Sequence, residues 1–92
     1  MASIKGLKKD INYLASEILT HGYLKQMMHE GIDEKALSAI LVDAIKMRND
    51  LVARINHPDG KENPKIVKTY FLEVRKQLME TTDALFSKIN EL

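Results

Sequence analysis

Three histidines and four serines are the residues of this chain best suited to chemistry, and their spacing limits what they can do. His21 and His29 stand eight positions apart, about 80° out of register on a helix of 3.6 residues per turn. They therefore do not form the i, i+4 pair that holds a metal on one helix face. Glu17 and His21 do have that spacing, but two ligands without a third read as a helix-surface ion pair. His29, Glu30 and Asp33 gather where Gly31 interrupts the helix, and His57 falls at a helix end, where the dipole favours a cation. Ser3, Ser16, Ser38 and Ser87 lack the flanking glycines and the strand–turn–helix elbow of an activated nucleophile. Gly6 and Gly60 are isolated, so no phosphate-cradling loop is present. Carboxylate pairs such as Glu30 with Glu34 lie near helix caps, where they are solvated. The expectation is a protein that is not an enzyme, with no catalytic residue, no cofactor and no metal.

Arg48 carries more information. Helical phase places it within the stripe formed by Leu41, Ala44, Leu51, Val52 and Ile55. A buried guanidinium without a carboxylate is very costly, and Asp10, Glu17 and Glu73 are the candidate partners. The first expectation is a stem lying over apolar surface with its head in water; a buried pair and an arginine that reads a ligand are the alternatives.

The elements that position these residues are three helices. The first starts at Ser3 as N-cap and carries Ile4, Leu7, Ile11, Leu14, Ala15, Ile18 and Leu19 at helical spacing. Gly31 closes it as a left-handed cap. Past Gly22 the phase changes: Lys25 and His29 take the apolar face while Tyr23, Leu24, Met27 and Met28 point elsewhere. Either the helix bends at Gly22 and carries this group into the core, or the group covers a second surface. The second helix opens on the N-cap Asp33, with Glu34 in the first turn and Ile32 and Leu37 at staple spacing. Its broad stripe is Ala36, Leu37, Ile40, Leu41, Ala44, Met47, Leu51, Val52 and Ile55, and Pro58 ends the helix near Asn56. His57-Pro58-Asp59-Gly60 suits a type I turn. The third helix starts at Asn63 with Pro64 in its first turn. It keeps Val67, Tyr70, Phe71, Val74, Leu78, Leu85, Ile89 and Leu92 on one face, interrupted at Thr81 and Thr82.

No alternating β-branched run competes with these patterns. Each stripe must be buried against the others, and short connections make sequential helices antiparallel. The fold expected is an all-α, up-down-up three-helix bundle spanning 1–92 as one domain. Its 92 residues allow a single modest core without an obvious cleft for a drug-sized ligand. With 45% hydrophobic and 29% charged residues the composition is globular, and the lack of cysteine excludes disulfides and thiolate chemistry. No apolar run nears the roughly 18–20 residues of a membrane span, and MASIKGLKKD has no apolar core of a signal peptide. A cytoplasmic location without membrane partners is expected.

The segments IKGLKKDINY at 4–13, RNDLVARINHP at 48–58 and DALFSKIN at 83–90 resemble a family of small all-helical proteins from Bacteroidetes-type bacteria. The resemblance covers most of the chain. It implies a cytoplasmic helical bundle and carries no assigned activity, cofactor or catalytic residue.

Two surface features remain. In an up-down-up bundle residues 1–17 and 48–76 share one end, holding ten Lys/Arg and six Asp/Glu, a charge of +4. The rest holds four and seven, a charge of −3, giving the net +1. Lys5, Lys8, Lys9, Arg54, Lys61, Lys65 and Lys68 would cluster at the positive end and could touch phosphates, although no aromatic stacking platform accompanies them. The other feature is the off-phase group Tyr23, Leu24, Met27 and Met28, joined by Val42 and Ile45. An exposed apolar patch of this kind marks an interface, and methionine adapts to partner surfaces. The leading expectation is a non-enzymatic protein-interaction module, self-associating as a homodimer or homo-oligomer through Tyr23–Met28. The alternative is a small nucleic-acid-binding accessory protein using the basic end.

Overall fold

A computed structural model describes residues 4–57 and 63–92. Three helices follow one another: α1 Ile4–Met28, α2 Glu34–Asn56 and α3 Pro64–Glu91. At 1.5 Å per residue they are about 35–42 Å long, and they lie side by side in a body of 52 × 19 × 16 Å.

The starts follow from local chemistry. Asp33 holds an extended backbone, and its carboxylate accepts from the Lys35 and Ala36 N–H groups at 3.0 and 3.1 Å. Asn63 does the same for Lys65 and Ile66 at 3.0 and 3.4 Å, with Pro64 in the first turn, where a missing N–H costs nothing. α1 ends at Met28, earlier than a cap at Gly31 implies. Gly31 has φ of +80° and reverses the chain in the turn that follows. The expected Ser3 cap and most of the 57–60 turn lie outside the described residues.

Contacts between helices fix the topology. Asn12 meets Arg48 and Gly22 meets Leu41, so α1 and α2 run in opposite directions. Arg54 meets Gln77 and Thr82 meets Met47, which sets α2 and α3 antiparallel. Asp10 with Arg75 and His21 with Asn90 set α1 and α3 parallel. All three pairs touch, and the result is an all-α, up-down-up three-helix bundle.

The core is the meeting line of the three stripes. Leu7, Ile11, Ala15 and Ile18 of α1 face Ile40, Ala44, Met47, Leu51 and Ile55 of α2 and Val74, Leu78, Leu85 and Ile89 of α3. Burying such a side chain fully stabilises the fold by roughly 1.5–3 kcal/mol. Leu14, Leu19, Val52, Tyr70, Phe71, Phe86 and Leu92 are half-buried around it. α3 runs unbroken through the expected interruption at Thr81 and Thr82. Thr82 is 2% exposed, occupies the core step between Leu78 and Leu85, and directs its hydroxyl toward Met47 Sδ at 3.9 Å.

Candidate interaction surface

α1 continues through Gly22 without a break. Gly22 is buried because α2 crosses it closely: a Cβ at this position would lie 2.7 Å from Leu41 Cδ2 and 3.2 Å from Leu37 Cδ1. The glycine admits the neighbouring helix and does not turn the last two turns inward. The off-phase group therefore stays outside, with Tyr23 54%, Leu24 49%, Met27 82% and Met28 75% exposed. Val42 and Ile45, on the outer side of α2, are also exposed. Lys25 takes the inner phase that follows Gly22 and is half-buried.

Tyr13, earlier on α1, is 61% exposed as well and is not evident from the hydrophobic pattern. Leu72 and Met79 of α3 are exposed as well.

Arg48 is not buried. It sits at the edge of the α2 stripe, next to Met47, and its head lies at the surface. Its Nε donates to Asn12 Oδ1 at 2.7 Å and one terminal nitrogen donates to Asn49 Oδ1 at 2.8 Å. This is the expected arrangement with the head in water, and the partners found are two amides instead of a carboxylate. Asp10 accepts instead from Arg75 Nη2 at 3.0 Å. The physical reason is phase: 48 follows 47 by a 100° step, enough to carry a long side chain out of the seam.

His21 does not pair with Glu17. It leans toward α3, with Nε2 3.1 Å from Asn90 Oδ1 and the ring edge-on to Phe86 at 5.4 Å. Among the described residues no group of three or more His, Asp or Glu converges as a metal site would require.

The basic end is divided. Topology brings Lys5, Lys8 and Lys9 of α1 to the same end as Arg54, Lys65 and Lys68, while Lys61 lies outside the described residues. Lys5, Lys9, Lys65 and Lys68 are exposed. Arg54 is engaged by the bundle: it donates to Gln77 Oε1, and its guanidinium lies over the Tyr70 ring at 5.5 Å from the centroid.

A groove of about 590 Å³ runs between α2 and α3 where no cleft is expected. Its floor is Met47, Leu51 and Leu85, and its rim alternates Asp43, Asp50 and Glu80 with Lys46 and Lys88. It opens widely to solvent, unlike a pocket that encloses most of a small ligand.

Among the described residues no helix is long and apolar enough to cross a membrane. No family model, curated protein or solved structure matches the chain.

Proposed function

We propose that this protein is a non-enzymatic, cytoplasmic helical interaction module that self-associates through the Tyr23–Met28 end of α1. The observation that carries the reading is the exposure of Tyr23, Leu24, Met27 and Met28 at the end of an unbroken helix. Their own bundle leaves this apolar surface in water, and a partner surface would remove it. Methionine side chains adapt to the facing shape, and tyrosine gives contact area at low entropic cost.

Sedimentation velocity across the micromolar range tests it. Wild type is expected to gain mass with concentration, and the Met27→Asp/Met28→Asp variant to stay monomeric with unchanged helicity. A wild type that is monomeric throughout, or a double variant that associates equally well, overturns the reading.

A second reading takes the exposed Lys5, Lys9, Lys65 and Lys68, contributed by two helices to one end, as a phosphate-binding surface. It predicts duplex or single-strand binding that falls steeply with salt and is lost in Lys9→Glu/Lys65→Glu. No binding at low salt removes it.

A further inference from the structure

The basic end of the bundle carries an exposed aromatic. Lys5, Lys9 and Tyr13 follow one another at four-residue steps of α1, about 6 Å apart along its axis, and all three are exposed. Tyr13 keeps 61% of its surface in water. Each step also turns the position by about 40° around the helix, toward the side where Asp10 meets Arg75 of α3 at 3.0 Å. That contact sets the level of the two parallel helices. Lys68, two turns before Arg75, and Lys65, one turn before Lys68, continue the line on α3, and both are exposed. From Lys65 through Lys68, Lys5 and Lys9 to Tyr13 the track covers about 20 Å of the bundle's length. Asp10, the acid beside it, is paired with Arg75. The aromatic residues of α3 at this end are engaged by the bundle: Tyr70 lies under the Arg54 guanidinium, and Phe71 meets the Tyr70 ring edge-on.

We propose that this track binds single-stranded nucleic acid, with phosphates on the four lysines and a base stacked on the Tyr13 ring. The proposal rests on the phosphate-binding reading of the basic end and names its ligand; it is independent of the Tyr23–Met28 end. Lysine charges alone attract the backbone of a duplex and of a single strand alike. Tyr13 makes the choice between them. In a duplex the bases are stacked on one another and present only their edges in the grooves, so a surface tyrosine finds no base face to cover. In a single strand the base faces are free, and stacking one of them on an aromatic side chain strengthens binding by roughly 5–150-fold. Every base has such a face, so the track binds without sequence preference.

Fluorescence anisotropy tests the assignment, with a labelled DNA strand of mixed sequence and with the same strand annealed to its complement, each across a salt series. Tyr13→Ala changes an exposed residue, and circular dichroism checks that the bundle is kept. Wild type is expected to bind the single strand more tightly than the duplex. Tyr13→Ala is expected to lose roughly 5–150-fold on the single strand with its salt dependence unchanged, and Tyr13→Phe, which keeps the ring, to lose little. Lys9→Glu/Lys68→Glu is expected to weaken both ligands and to flatten the salt dependence. Equal affinity of wild type for strand and duplex, or a Tyr13→Ala protein that binds the strand as wild type does, overturns the single-strand assignment and leaves the lysines as a phosphate surface. Absence of binding to either ligand at low salt removes that surface and this proposal with it.

Discussion

Gly22 of α1 and Leu41 of α2 are in contact so close that a Cβ on the glycine would stand 2.7 Å from Leu41 Cδ2. The absence of a side chain at position 22 is what allows α2 to cross the carboxyl-terminal part of α1. It also keeps α1 straight in phase, so the apolar residues that follow remain on the outside.

Replacing Gly22 separates two opposing effects. Alanine gains roughly 1 kcal/mol of helix propensity but must displace the end of a half-buried leucine, so Gly22→Ala is expected within about 1 kcal/mol of wild type. Valine adds bulk that the Leu41 and Leu37 side chains cannot both avoid, and Gly22→Val is expected to lose about 1–3 kcal/mol. Urea denaturation measures both. A Gly22→Val protein as stable as wild type would show that the close crossing is not built into the fold.

Thr82 gives a prediction of opposite sign. Its hydroxyl is buried and faces a thioether, a weak acceptor, at 3.9 Å. Thr82→Val keeps the shape and replaces the hydroxyl by a methyl group against Met47. A gain of about 0.5–1 kcal/mol is expected, because exchanging a poorly satisfied polar group for an apolar one is neutral to stabilising. In a chain this size that raises the melting temperature by about 2–8 °C. A loss of stability in calorimetry would mean that the hydroxyl has a stronger partner than the sulfur.

The helices were legible because their signals are local. Asp33, Asn63 and Pro64 act through neighbouring N–H groups, and the stripes from Leu37 to Ile55 and from Val74 to Ile89 need only a 3.6-residue period. What was not legible depends on the neighbouring helix. Gly22 reads in sequence as either a bend or the start of a second surface, and only in space as a passage for Leu41. Thr82 reads as an interruption because its type is polar, although its phase is that of the core. Arg48 lies one residue from a core position, and phase alone cannot say which way a long side chain leaves the seam. For the candidate surface, the group from Tyr23 to Met28 was visible as a break in pattern. Tyr13 was hidden because an exposed residue leaves no hydrophobic period of its own.

Arg48 distinguishes a surface guanidinium from a buried one. With its head exposed and both partners neutral amides, Arg48→Met is expected to cost under about 1 kcal/mol, in the range of a single net hydrogen bond. Its long apolar stem is largely kept in methionine. A buried arginine whose carboxylate partner is left alone would cost about 3–5 kcal/mol. A measured loss in that higher range, insensitive to salt, would place Arg48 inside the bundle.

The Asp10–Arg75 pair joins α1 to α3 at 3.0 Å, with side chains 48% and 37% exposed. At such exposure water and salt screen the attraction, and the measured value of comparable pairs is about 0.2–1 kcal/mol. A double-mutant cycle of Asp10→Asn and Arg75→Gln is expected to give a coupling energy in that range, falling as sodium chloride rises. A coupling above about 2 kcal/mol at high salt would show a desolvated pair.

Leu72 and Leu78 are the same residue on the same helix, six positions apart, and the bundle treats them oppositely: 60% exposed and 0% exposed. Leu78→Ala removes packing from the core and leaves a cavity, so it is expected to cost about 2–5 kcal/mol. Leu72→Ala removes a side chain already in water and is expected within about 0.5 kcal/mol of wild type. Because both changes carry the same gain in helix propensity, the difference between them isolates burial. Equal losses at low protein concentration would mean that α3 turns a different face to the core. Losses for Leu72→Ala that appear only at high concentration would instead place Leu72 beneath a partner copy.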